Sequence, residues 1–189
     1  MAVYDTASGE LVSSLNIAIT GIQADLEVIA ASPNERQIAF SGVKQVDSDS
    51  YRIWTVDLQN ALAPKPATKG PMDSSPAWAS DSKLLFARLD SSKKLSRCST
   101  EITAQHLWTA SLVNGTERQL TKGLVRDDYP SWAEKKGIVL FARVPLDELT
   151  SNQCGESNAG ERPLAGILEG FSTLAQLLAS SSQVAYVRL

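Results

Sequence analysis

At 189 residues, 43% apolar and 21% charged, the chain has the make-up of an ordinary soluble domain and is long enough to bury one core. A net charge of −3 gives no electrostatic case for binding nucleic acid, which needs a concentrated basic face, and argues against simple adsorption to an anionic membrane. No apolar run approaches the ~20 residues of a membrane-spanning helix, and Met1-Ala2-Val3-Tyr4-Asp5-Thr6 lacks the basic and apolar regions of a secretory signal; the expected settings are the cytoplasm, or an export route whose signal or upstream domain has been removed.

The first predicted elements lie in Val3-Tyr4-Asp5-Thr6-Ala7-Ser8-Gly9-Glu10-Leu11-Val12, which reads as strand, turn and strand. A phrase then follows that recurs along the chain: a small or polar turn, an apolar run and a closing aromatic. Its copies are Ser32-Pro33-Asn34-Glu35-Arg36-Gln37-Ile38-Ala39-Phe40, Ala79 to Phe86, Ala133 to Phe141 and Ala179 to Tyr186. The closing aromatics stand about 45–55 residues apart, close to the ~40–50 of blade-type β repeats.

Between these copies the intervening strands also repeat. Arg52-Ile53-Trp54-Thr55-Val56-Asp57-Leu58 matches His106-Leu107-Trp108-Thr109-Ala110-Ser111-Leu112, and Ser75-Pro76-Ala77-Trp78 matches Tyr129-Pro130-Ser131-Trp132. These stretches alternate apolar and polar residues and favour β-branched and aromatic types, as half-buried strands do. Thr68-Lys69-Gly70 and Thr121-Lys122-Gly123 close successive units, while Ser80-Asp81-Ser82 and Lys135-Lys136-Gly137 are tight-turn chemistry. Each unit therefore reads as a four-stranded antiparallel meander. The third is the weak one, since Arg162 to Gly170 lacks a Trp and fits an outer strand badly. Gly170 to Leu178 has the look of a short helix, but the repeat register favours an innermost strand.

A meander cannot cover both of its own faces, and packing several radially solves this, which is the logic of a β-propeller. The expected architecture is all-β: one propeller domain over 1–189, with units at about 26–70, 71–123 and 124–170. The ends, 1–15 and 171–189, would share a further blade, because pairing the ends removes exposed edges. Two forms are open. One is a small ring closed by the chain's own ends. The other is a partial propeller whose remainder lies on a removed segment or another chain.

Ser75-Pro76-x-Trp78-x-x-Asp81-x-x-Leu84-x-Phe86, followed by Leu107-Trp108-x-x-x-Leu112 and Gln119-Leu120-Thr121, resembles the propeller repeats of TolB-type proteins and, more loosely, WD-type repeats. The match is best from Ser75 to Gly123, with a second clear copy starting over Asp128 to Val144. The Asp-Gly turn usual in that repeat is replaced here by Asp81-Ser82, Lys136-Gly137 and Ser181-Ser182, marking a divergent member. TolB-type propellers have six blades, so the resemblance implies more blades than these units supply. It also implies a periplasmic or envelope setting and a protein partner, such as a lipoprotein or a membrane-attached assembly.

Candidate chemistry is sparse. Cys98 and Cys154 fall at matching distances after Phe86 and Phe141, in polar insertions of neighbouring units, and a disulfide between them would add about 2–4 kcal/mol in an oxidising compartment. If both are free thiols, a cytoplasmic setting is expected. His106 is the single histidine and occupies the place of Arg52 in the preceding unit, so a solvent-facing strand position is expected. Asp47-Ser48-Asp49-Ser50 and Asp127-Asp128 supply incomplete calcium ligand sets and read as solvated loops, with Asp128 fixing the turn before Tyr129-Pro130. The four tryptophans, in register-matched pairs, read as packing between blades. Lys93, Lys94 and Arg97 form a small basic patch on an insertion. No nucleophile elbow, phosphate loop or dinucleotide motif occurs, so no cofactor, metal or catalytic residue is expected. The chain reads as a non-catalytic protein-interaction or scaffold module; the alternative is an accessory or gating propeller of a hydrolase, as in prolyl-oligopeptidase-like enzymes.

Overall fold

The computed structural model describes residues 2–4, 7–14, 21–44, 47–58, 63–97, 100–151 and 183–188. Cys98 and Cys154, the stretch Arg162 to Gly170 and the run Gly170 to Leu178 lie outside the described residues.

Strands β1 (Ala2–Tyr4) and β2 (Leu11–Ser14) pair with each other. Unit one follows as β3 (Ile22–Ala31), β4 (Gln37–Lys44), β5 (Asp47–Asp57) and β6 (Lys65–Pro66), hydrogen-bonded in that order. Unit two repeats the plan with β7 (Asp73–Ser80), β8 (Lys83–Arg97), β9 (Thr100–Ser111) and the short β10 (Glu117–Gln119). Unit three has β11 (Val125–Ala133), β12 (Ile138–Pro145) and β13 (Gln183–Arg188), with a six-residue helix α1 (Leu146–Ser151) after β12. Units two and three meet in one continuous sheet through a single parallel bridge, Arg126 to Gln105. Side-chain packing holds the units together.

That packing explains the apolar runs. Along β8, Leu84 and Phe86 turn to unit one, where they join Ala39, Ile53, Trp78 and Ala110. Leu85 and Ala87 turn the other way, joining Leu107, Val139 and Phe141 of units two and three. A strand sandwiched on both faces needs apolar residues at every step, so Leu-Leu-Phe-Ala does not alternate. Burying one such side chain stabilises by about 1.5–3 kcal/mol. Neighbouring turns are also tied: Trp78 Nε1 donates to the Ala30 carbonyl at 3.0 Å, and the Asn34 amide donates to Asp81 Oδ1 at 2.8 Å. The four tryptophans all pack in or against these apolar clusters, as the register implied.

The repeated Thr-Lys-Gly has a local cause. Thr68 Oγ1 accepts from the Ile53 amide at 3.0 Å, and Thr121 Oγ1 accepts from the Leu107 amide at 2.9 Å. Each threonine takes over the ladder where the short fourth strand ends, so a buried N–H keeps a partner.

Three expectations change. The insertion after Phe86 is ladder rather than loop: β8 and β9 run on as a long hairpin, bulged between Asp90 and Lys94, with Leu95 opposite Ile102. Its basic patch is partly neutralised, since Lys94 pairs with Glu101 at 2.7 Å and Lys93 lies 4.0 Å from Asp90. Leu146 and Leu149 of α1 cover the root of this hairpin with Ala104 and Val144. Second, Asp47–Ser50 belongs to β5 rather than to a loop. Third, β13 occupies the third-strand position of unit three, with Ala185 opposite Phe141 and Val187 opposite Val139. The described end strands do not share a sheet, and the described sheets do not close; they form a partial propeller.

Candidate functional site

Two register-matched ion pairs mark the inner part of units two and three. In unit two, Asp73 lies opposite Arg88 across the β7–β8 ladder. The guanidinium grips both carboxylate oxygens, at 2.6 Å from Nε and 2.9 Å from Nη2, while Nη1 donates to Glu117 Oε2 of β10 at 2.9 Å. Arg88 also stacks over Trp108, 4.8 Å from its centroid, and lies so close to Gly70 that any side chain there would collide with it. Glu117 Oε1 accepts from the Lys69 amide at 2.7 Å, tying unit one's exit to the same centre. Burial pushes the Asp73 carboxyl up to about 6, against the pull of Arg88 and Thr68. Burial also works against the Arg88 charge, but its bonds to Asp73 and Glu117 outweigh this and hold the group above its ordinary value.

Unit three repeats the pair. Asp127, opposite Arg143, is fully buried and accepts from Nε at 2.7 Å and from Nη2 at 2.8 Å. This corrects the expectation of a solvated Asp127-Asp128 loop, because Asp127 is buried and pairs with Arg143. The Asp127 bonds raise the Arg143 guanidinium above its usual range. Asp128 does what the sequence suggested: its Oδ1 accepts from the Tyr129 amide at 2.9 Å. Unit one has neither partner; Ala24 and Gly42 stand opposite each other there. A Cβ on Gly42 would come within 2.9 Å of Ile22 Cγ2, so β3 and β4 close over the site that Arg88 fills next door.

The first strands of units two and three share a strained bulge. Ser75 and Tyr129, each preceding a proline, hold φ at 50° and 51°, where β-region backbone is normally imposed. β7 lies against both β3 and β11, so these bulges belong to the inner strands.

The two outer faces of units two and three differ. Leu85 and Thr109, opposite each other in unit two, are 0% and 8% exposed. Their counterparts in unit three, Leu140 and Tyr186, also lie opposite each other but are 38% and 70% exposed. Leu140 and Tyr186 thus form an exposed apolar pair.

The remaining sequence candidates sit elsewhere. His106 is 0% exposed, contrary to its expected outward position. It lies opposite Arg88 and faces the same side as Arg88 and Phe86, whereas Arg52, its counterpart in unit one, is half-buried. Neither ring nitrogen is hydrogen-bonded, Asp90 Oδ2 lies 3.5 Å from Nε2, and burial lowers the imidazole's pKa. A polar cavity of about 100 Å³, lined by Gln37, Thr55, Asp57, Ala63 and Lys65, opens on unit one's outer strands. No cluster of three metal-ligating side chains occurs among the described residues. Sequence reasoning missed the Asp–Arg pairs, although Phe86-Ala87-Arg88 and Phe141-Ala142-Arg143, each with an Asp five residues before the Trp, were there to be aligned.

Three meanders packed face to face through aromatic layers define a partial β-propeller. Its fold is that of the TolB-type propellers: TolB from Acinetobacter baumannii matches with a TM-score of 0.50 at 14% identity, over 76% of this chain and 32% of that one. An Agrobacterium tumefaciens protein described as a TolB gives 0.48 at 16%, over 62% and 38%. A prolyl endopeptidase gives 0.49 at 16%, over 69% of this chain and 18% of that one. The chain thus spans about a third of the TolB structures' length. No family model and no curated protein matches it.

Proposed function

We propose that this chain is a non-catalytic protein-interaction module, a TolB-like propeller segment working within a cell-envelope or other multi-protein assembly. The observation that carries this reading is the open face of unit three: Leu140 and Tyr186 are exposed where the same positions of unit two are packed against a neighbour. The strongest polar groups have structural tasks, with Arg88 and Arg143 neutralising buried carboxylates and Thr68 and Thr121 completing ladders. Resemblance to TolB supports the envelope setting.

The test compares the wild-type chain with a Leu140→Asp, Tyr186→Asp double variant as baits in native extract. A captured protein that, once purified, rebinds the wild type and not the variant supports the reading. Capture indifferent to the substitutions, or turnover of peptide or ester substrates by the purified chain, overturns it. Osmotic-shock fractionation checks the setting, with release alongside periplasmic markers expected.

A further inference from the structure

The three units differ in a correlated way at one place. Unit two has an Asp, an Arg and a Glu: Asp73, Arg88 and, on the fourth strand, Glu117. Unit one lacks all three, with Ala24 and Gly42 at the first two positions and Pro64 where register places the third. Unit three has Asp127 and Arg143, yet among the described residues no strand lies on the outer edge of β13, and no carboxylate reaches the remaining Nη1 of Arg143. The Arg and its two acids are present or absent together in the two units that have a fourth strand.

We propose that the edge of β13 away from β12, on which no described strand lies, accepts an extended acidic segment of a partner protein as a fourth strand. A glutamate of that segment stands opposite Val187, as Glu117 stands opposite Ala110, and its carboxylate takes the Nη1 of Arg143. Strand addition supplies main-chain hydrogen bonds along an exposed edge, and the side-chain contact supplies selectivity. The segment's register follows unit two: Glu, one residue opposite Tyr186, one opposite Ala185, and a Thr two residues further on that continues the ladder. The exposed Leu140–Tyr186 pair borders the same edge, so added chain would also cover apolar surface.

This proposal rests on the interaction-module reading and narrows it to one edge and one chemistry. Its test uses the full chain and two peptides: one with the sequence of residues 114–123, Asn-Gly-Thr-Glu-Arg-Gln-Leu-Thr-Lys-Gly, and its Glu117→Gln counterpart. A charge-assisted bond should make the glutamate peptide bind about tenfold tighter than the glutamine one. The difference should vanish on an Arg143→Gln chain, and the glutamate peptide should protect amides 183–188 from exchange. The two-peptide comparison on wild-type protein does not depend on how well the variant folds. No binding at millimolar peptide, equal affinity for both peptides, or protection elsewhere would overturn the proposal. A chain that captures a partner through Leu140 and Tyr186 yet ignores the peptides would overturn it while leaving the broader reading in place.

Discussion

Units one and two share a strand plan, a register and an aromatic layer, but they fill the same inner position in opposite ways. Unit two encloses an ionic centre of Asp73, Arg88 and Glu117, whereas unit one brings Ala24 and Gly42 together and lets backbone approach backbone. The apolar packing is therefore what the repeat requires, and the charged centre is an addition that unit one does without. A buried charge without its partner is far worse than no charge.

The largest expected effect comes from breaking that centre. Arg88→Ala strands Asp73 in the interior and should cost about 3–5 kcal/mol in urea unfolding. Adding Asp73→Ala, which moves the centre toward unit one's solution, should restore a substantial part. Arg143→Ala should cost less than Arg88→Ala, because the Arg143 side chain is 31% exposed and has one acid partner rather than two. A double variant no more stable than Arg88→Ala would show that the two units do not differ in the way described.

A smaller effect tests what the units have in common. Thr68→Val and Thr121→Val each leave a buried amide, of Ile53 or Leu107, without an acceptor and should cost about 1–3 kcal/mol. The Thr68→Val loss should be the larger, because the Thr68 hydroxyl also bonds the Asp73 carboxylate of the ionic centre.

The smallest effect is in pH dependence. The folded Asp73 carboxyl sits near 6, above its ordinary 3.8, so its contribution is fully present below 3.8 and is lost as pH rises through 6. His106 is shifted below its ordinary 6.5, so its contribution is present above 6.5 and is lost as pH falls. The two act in opposition across the mildly acidic range. Subtracting the melting profile of Asp73→Asn from wild type should leave a difference favouring wild type increasingly as pH falls from 6 to 4. The same subtraction with His106→Asn should slope the other way.

Much of the fold was legible because strand periodicity and turn chemistry are local. Phe40, Phe86 and Phe141 end runs that become second strands, and the matched tryptophans fall in the apolar layers between or beside units. The misread residues depended on what lies across the sheet. His106 shares a register with Arg52, yet the first is fully buried and the second only half-buried, a difference set by contacts across the sheet. Asp127 looks like half of a polar turn until Arg143, distant in sequence, is placed opposite it. Likewise the partnership of β13 with β12 is set by Ala185 and Val187 facing the same apolar layer as Phe141, which no short window reveals.

One ladder contact, Arg126 to Gln105, joins the second meander to the third. Backbone bonding therefore does not dictate how many such meanders are strung together. A duplication or deletion of one cassette would have to match a slab of Phe, Trp and Leu on either side and a few polar ties such as Trp78 to Ala30, while each cassette keeps its own weave.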